Sequence, residues 1–197
     1  MENKDIFIVA SYNSTLPGKL ITTRAALKFW NRYDGDMYSH ISLSRDPILD
    51  NMISFARKEM HNIFKAGLVR EDIRTGLFKK HEDSSKIAVM KLSISEEIDN
   101  ILSKVIDDYW NRKDELYYNY LGLFKMLFLG RGTTTENHYF CTQWVVQVLR
   151  ESGIDILNGM NAYDIRPFDI YGELRDNIIY EGLTKEYPEY NKKRIKR

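Results

Sequence analysis

One stretch of the chain alternates between polar and apolar side chains, and it runs Tyr38-Ser39-His40-Ile41-Ser42-Leu43-Ser44. Successive side chains of a strand point to opposite faces of a sheet, so Ile41 and Leu43 would share one face and His40 and Ser42 the other. The pattern predicts a half-buried β-strand. A histidine on such a strand is held in place by the backbone rather than by a mobile loop.

The rest of the chain predicts one α+β domain around this strand. Further strands are expected at short apolar runs, namely 5–10, 52–57, 87–92 and 177–181. Helices are expected at 16–30, after a Ser95 cap, at 117–129 as a more buried helix, at 142–152 before Gly153, and at 167–175. Residues 58–85 hold short apolar pieces between charges, which favours a long excursion with one weak strand. The domain is expected to cover 1–190, with a tail at 191–197.

Composition excludes several classes of protein. The 197 residues are 43% hydrophobic, enough for a core, and the single cysteine cannot form an internal disulfide. The net charge of +1 is the sum of a −4 body and a +5 tail, because five of the last six residues are basic. No nucleic-acid partner is expected from such a body, whereas the tail predicts weak contact with an anionic membrane.

Targeting signals and long apolar spans are not apparent in the chain. The apolar run at 6–10 is short and flanked by acidic residues, and the run at 121–129 is too short to span a bilayer. A cytoplasmic protein is therefore expected. The sequence sets no oligomeric state.

Cys141 is the first candidate for chemistry. It is predicted to lie where a loop meets an amphipathic helix, and unpaired N–H groups and the helix dipole there favour a thiolate. A thiolate is a nucleophile suited to covalent catalysis. The alternative is a small buried cysteine with no chemical role.

His40 is the candidate base for such a nucleophile, because imidazole titrates near neutral pH. The alternative is a half-buried strand histidine that only bonds the backbone. His61 and His81 lie among charges and are interpreted as surface residues. His138 precedes Cys141 by three positions, but the sequence has no second ligand pair, so neither a metal nor a cofactor is expected.

Two further residues are weaker candidates for the site. Ser54, on the predicted neighbouring strand, could accept a hydrogen bond from the imidazole and orient it. Gln143 could add a side-chain donor to an oxyanion hole formed by backbone N–H groups at Cys141. Either residue could instead be a polar side chain with no role in the site.

Several segments together resemble the circularly permuted papain-like hydrolases of the NlpC type, over residues 5 to about 184. They are Thr15-Leu16, Lys19-Leu20-Ile21, the Tyr38–Ser44 stretch, Ile53-Ser54-Phe55-Ala56-Arg57-Lys58, Asn119-Tyr120-Leu121-Gly122-Leu123, Tyr139-Phe140-Cys141-Thr142-Gln143-Trp144-Val145-Val146 and Tyr180-Glu181-Gly182. In the permuted branch the histidine strand precedes the cysteine helix, as here. The chain departs from the family in having Thr142 where serine is usual, and the third catalytic group varies within the family.

The resemblance implies a single papain-like domain with the nucleophile helix packed on the sheet. It also implies a cysteine hydrolase of the peptidase or amidase type that cleaves amide bonds of a small peptide or cell-wall-like substrate. Cys141 would be the nucleophile, His40 the base and acid, and Ser54 the orienting group. Distant relatives resemble lecithin:retinol acyltransferase, so a lipid acyltransferase or thioesterase is the alternative. A non-catalytic binding module on the same fold is another.

Overall fold

A mostly antiparallel sheet forms the centre of the molecule in this computed structural model, which describes residues 3–12, 38–59 and 62–192. The strands are β1 Asn3–Tyr12, β2 His40–Ser44, β3 Met52–Glu59, β4 Asn62–Glu71, β5 Lys86–Ser95, β6 Tyr117–Tyr118, β7 His138–Tyr139 and β8 Ile178–Leu183. Six of them form one sheet in the order β4-β3-β2-β1-β5-β8, with every neighbouring pair antiparallel. β6 and β7 form a separate parallel pair.

Five α-helices lie in the described residues: α1 Gly76–Lys80, α2 Glu96–Asn111, α3 Tyr120–Leu129, α4 Cys141–Glu151 and α5 Pro167–Glu173. The predicted cap of α2 is confirmed, because Ser95 accepts a hydrogen bond from the Ile98 N–H. The predicted end of α4 is confirmed as well, since Gly153 follows it with a φ of +83° that favours glycine. The expected α+β domain with a mostly antiparallel sheet is therefore confirmed.

Side chains that alternate along β1 divide the hydrophobic core into two layers. Ile6 and Ile8 face the larger layer, which includes residues of α2 and α4. Phe7 and Val9 face a smaller layer on the other side of the sheet, which also contains Phe78 of α1. A strand covered on both faces has no need of polar alternation, which explains the continuous apolar run at 6–10.

α4 is the most deeply buried helix around the candidate nucleophile. Trp144, Val145, Val148 and Leu149 are fully buried in it. The Trp144 ring lies 6.2 Å from that of Phe55 in β3 and 6.1 Å from that of Tyr109 in α2. Aromatic contacts at these distances contribute beyond their buried area, so the sheet and α2 together fix where α4 begins.

The prediction for residues 58–85 is wrong in its main part. Instead of one weak strand, β4 is a ten-residue strand that pairs with β3 from Met52↔Glu71 to Glu59↔Asn62. β4 is an edge strand of the sheet. Lys65 and Arg70 are exposed on it, whereas Glu71 at its end is mostly buried, so the apolar pattern of the strand is weak in the sequence.

The predicted helix at 117–129 begins later and is not buried as expected. Residues 117–118 form β6, and α3 starts at Tyr120. Leu121 and Leu129 are 58% and 70% exposed, because α3 lies on the surface with its apolar side chains outward. Among the described residues, no helix combines the length and the apolar composition needed to cross a membrane. The predicted helix at 16–30 and the end of the basic tail at 193–197 lie outside the described residues.

Candidate active site

The imidazole of His40 lies against the carboxylate of Glu71. His40 is the first residue of β2, and Glu71 is the last residue of β4, with β3 between the two strands. His40 Nε2 and Glu71 Oε2 are 2.9 Å apart, and each side chain is 18% exposed. A charge pair this shielded from water interacts more strongly than one on the surface.

Two serine hydroxyls converge on the same carboxylate oxygen. Ser42 and Ser54 donate to Glu71 Oε2 at 2.8 and 2.5 Å, and Ser42 Oγ also lies 3.2 Å from His40 Nε2. The sequence predicts that Ser54 accepts a hydrogen bond from the imidazole; the structure instead gives its hydroxyl to the carboxylate. The group that contacts the imidazole is Glu71, and Ser54 helps to hold Glu71 in place.

These contacts shift the pKa values of both ionisable groups. Burial raises the pKa of Glu71, but the charge of His40 and hydrogen bonds from His40, Ser54 and Ser42 outweigh it and lower the pKa to about 2. Burial lowers the pKa of His40, but the charge of Glu71 and hydrogen bonds to Cys141 and Glu71 hold it well above its usual range. The pair is therefore imidazolium and carboxylate at neutral pH.

Cys141 is the first residue of α4, which packs against β2, and it is buried. It lies close enough to His40 to contribute to the raised pKa of that imidazole. Glu71 and Ser42 both contact Nε2 of this imidazole. Phe140 is the N-cap residue of α4 and offers no side-chain acceptor, so the first N–H groups of the helix stay available for a ligand.

The surroundings of the thiol are aromatic and hydrogen-bonded. Burial, and next the charge of Cys141, raise the pKa of Tyr118 well above its usual range. Gln143, the predicted extra donor, is buried and its Oε1 accepts from Asn119 Nδ2 at 3.2 Å. Thr142 is also buried and donates to the Ile165 carbonyl at 2.8 Å.

The other histidines are separate from this cluster where they are described. His138 Nδ1 lies 2.7 Å from the Glu136 carbonyl, and its ring packs 5.3 Å from that of Tyr117. His81 follows the last residue of α1, and His61 lies outside the described residues. Across residues 3–12, 38–59 and 62–192, the structure holds no group of three or more side chains arranged as a metal site.

Glu71 is the site residue that sequence reasoning missed. It falls in the 58–85 segment, where no full strand is predicted. The pairing of β3 with β4 sets Glu71 opposite Met52, two residues before Ser54. Had the sequence analysis predicted β4 as a full partner of β3, it would have placed the Glu71 carboxylate beside Ser54.

Comparison of the chain with protein-family models, with curated proteins and with solved structures finds no match in any of the three. The similarity to permuted NlpC-type enzymes therefore stays a prediction.

Proposed function

We propose that the protein is a cysteine hydrolase that cleaves an amide bond through an acyl-enzyme on Cys141. The observation that supports this is that the buried Cys141 begins a helix packed on the His40 strand and lies close to His40, whose Nε2 is 2.9 Å from the carboxylate of Glu71. A nucleophile, a base and a group that orients the base are the parts that covalent acyl transfer requires. In this proposal Ser42 and Ser54 are positioning residues that act through Glu71.

Each group has one task in the reaction. The Cys141 thiolate attacks the carbonyl carbon, and backbone N–H groups at the start of α4 stabilise the oxyanion. The His40 imidazolium then gives its proton to the leaving nitrogen as the C–N bond breaks, which leaves a thioester. The neutral imidazole takes a proton from water as the water oxygen attacks the thioester. The tetrahedral adduct then collapses by breaking the C–S bond, which releases the acid and restores the thiolate–imidazolium pair.

The rate at which iodoacetamide alkylates the single cysteine tests the proposal. At about pH 6 we expect fast alkylation of the wild type and a rate lower by about 10- to 100-fold in His40→Ala, since the imidazolium favours the thiolate. His81→Ala is the matched control, and it should leave the rate unchanged. Slow alkylation of the wild type, with the pH dependence of an ordinary thiol, would support the non-catalytic module instead.

A second candidate reaction uses the same residues on a lipid. Acyl transfer or hydrolysis at a lipid ester or amide needs the same thiolate and imidazolium. What favours it is a set of exposed apolar side chains that begins beside Tyr118, close to the thiol.

A further inference from the structure

The exposed face of α3 is apolar, which is the reverse of an ordinary surface helix. Leu121, Phe124 and Leu129 are 58%, 56% and 70% exposed, and Phe64 of the neighbouring β4 is 81% exposed. These four side chains form what we call the apolar ridge. α2 shows the usual arrangement, with charged residues such as Glu97 among its exposed positions.

The outward direction of the ridge is built into the fold. Asn119 caps α3 by accepting from the Gly122 N–H at 2.8 Å, and its Nδ2 donates to the Thr133 carbonyl at 2.8 Å and to Gln143 of α4 at 3.2 Å. A Cβ on Gly122 would come within 2.4 Å of the Asn119 side chain, so only glycine fits there. Met126 and Gly122 are buried, which leaves the opposite face of α3 outward.

The ridge is continuous with the candidate active site. The Phe64 ring lies 6.4 Å from that of Tyr120, and the Tyr120 ring lies 4.6 Å from that of Tyr118. Tyr118 in turn pairs with Tyr139 of β7, two residues before Cys141. A molecule bound along the ridge would therefore have a path of aromatic side chains to the thiol.

Two basic residues lie within α3 or just after it. Residues 116–135 contain no Asp or Glu but include Lys125 within α3 and Arg131 just after it. Lys125 is only partly exposed, and a lysine can extend its ammonium group from such a position to reach an anionic surface. This charge is complementary to a phosphate-rich surface.

We propose that the apolar ridge docks the protein onto the surface of an anionic phospholipid bilayer. α3 has ten residues and would be about 15 Å long, too short to span, so it lies in the plane of the interface. Phe64, Leu121, Phe124 and Leu129 enter the acyl boundary while Lys125 meets the phosphates.

A bilayer fits this surface better than a protein partner does. Protein interfaces carry about one hydrogen bond per 100–200 Å² of buried area, whereas the ridge itself consists of hydrocarbon side chains. A fluid interface accepts such side chains without matched partners. If the proposed function also holds, the amide or ester cleaved at Cys141 belongs to a lipid held at that interface.

Vesicle flotation of Cys141→Ser tests docking separately from catalysis, since this variant has no nucleophile. We expect it to bind vesicles of phosphatidylcholine and phosphatidylserine, and to bind pure phosphatidylcholine more weakly. Adding Phe64→Ser, Leu121→Ser and Phe124→Ser should weaken binding by about 100-fold. Lys125→Gln should weaken it about five-fold on the anionic vesicles alone.

Ile179→Ser is the matched control, because Ile179 is 50% exposed on β8 and lies outside the ridge. It should bind as Cys141→Ser does. Unchanged binding by the triple variant overturns the proposal, and so does binding that is lost when residues 193–197 are deleted. A lipid-free dimer that the triple variant dissociates also overturns it, because a second copy would then cover the ridge. Fast alkylation of Cys141 without vesicle binding would refute docking alone.

Discussion

Two regions of the molecule depart from the usual rule that charged side chains are exposed and apolar side chains are buried. The candidate active site buries charges, and the apolar ridge exposes hydrocarbon side chains. At the His40–Glu71 pair, charged side chains are only 18% exposed, while on the apolar ridge Phe64 is 81% exposed. Desolvation of the charges is offset within the fold, because Ser42, Ser54 and His40 all contact one carboxylate oxygen. The cost of exposing the apolar side chains of the ridge to water is not offset by any contact within α3. In our proposal, burial in a membrane offsets it.

This comparison predicts a large loss of stability when the carboxylate that pairs with His40 is removed. Glu71→Ala leaves a buried imidazolium and two serine hydroxyls without their acceptor, so we expect the free energy of unfolding to fall by about 3–5 kcal/mol. Chemical denaturation at neutral pH measures it.

Glu59→Ala is the matched control for that measurement. Glu59 lies on the same hairpin, but its side chain is 52% exposed and pairs with Lys65 at the surface. Its loss should cost less than about 1 kcal/mol. If Glu71→Ala and Glu59→Ala lost equal free energy of unfolding, the buried His40–Glu71 pair would contribute no more to stability than a surface ion pair.

The next effect concerns the charge of Glu71 rather than its presence. In Glu71→Gln, burial still lowers the pKa of His40, but the charge that chiefly raises it is gone. The pKa of His40 should therefore fall. NMR titration of the histidine ring protons measures this, with the His40 signal assigned by its loss in His40→Ala. An unchanged His40 titration would contradict the role given to Glu71.

The same charges predict how stability depends on pH. The lowered pKa of Glu71 stabilises the fold above the ordinary value of 4.5, and this is lost as pH falls toward about 2. The raised pKa of His40 stabilises the fold below 6.5, and this is lost as pH rises through the raised value. The stability advantage of wild type over Glu71→Gln should thus be greatest between about pH 4.5 and pH 6.5.

What the sequence predicts well is local. The strand β2 and the Ser95 cap of α2 are predicted from neighbouring residues, and both are found in the structure. The expectation that β2 is half-buried is wrong, because Ser42 and Ser44 are buried as fully as Ile41 and Leu43.

His40 and Cys141 are candidates because the strand position of one and the helix position of the other are predicted from local residues. The structure brings the two residues close together, while their catalytic roles stay a prediction.

What the sequence does not predict depends on register and on packing between distant segments. Glu71 reaches His40 only because β3 pairs with both β2 and β4, so that Ser42, Ser54 and Glu71 converge from three strands. The apolar residues of α3 indicate a helix but not which face is covered. That second ambiguity produced the wrong expectation of a buried helix.

The smallest expected change in stability is at Leu121 on the apolar ridge. It shows whether the ridge faces solvent or is already covered in the lipid-free protein. If Leu121 contacts only solvent in the free protein, Leu121→Ser should change the free energy of unfolding by no more than about 0.5 kcal/mol. Met126→Ala is the contrasting variant on the buried face of the same helix, where Met126 is 4% exposed, and it should cost about 2–4 kcal/mol. Denaturation of the lipid-free protein measures both. A loss at Leu121 as large as that at Met126 would mean that the ridge is already covered in solution, which would leave no free surface for a membrane.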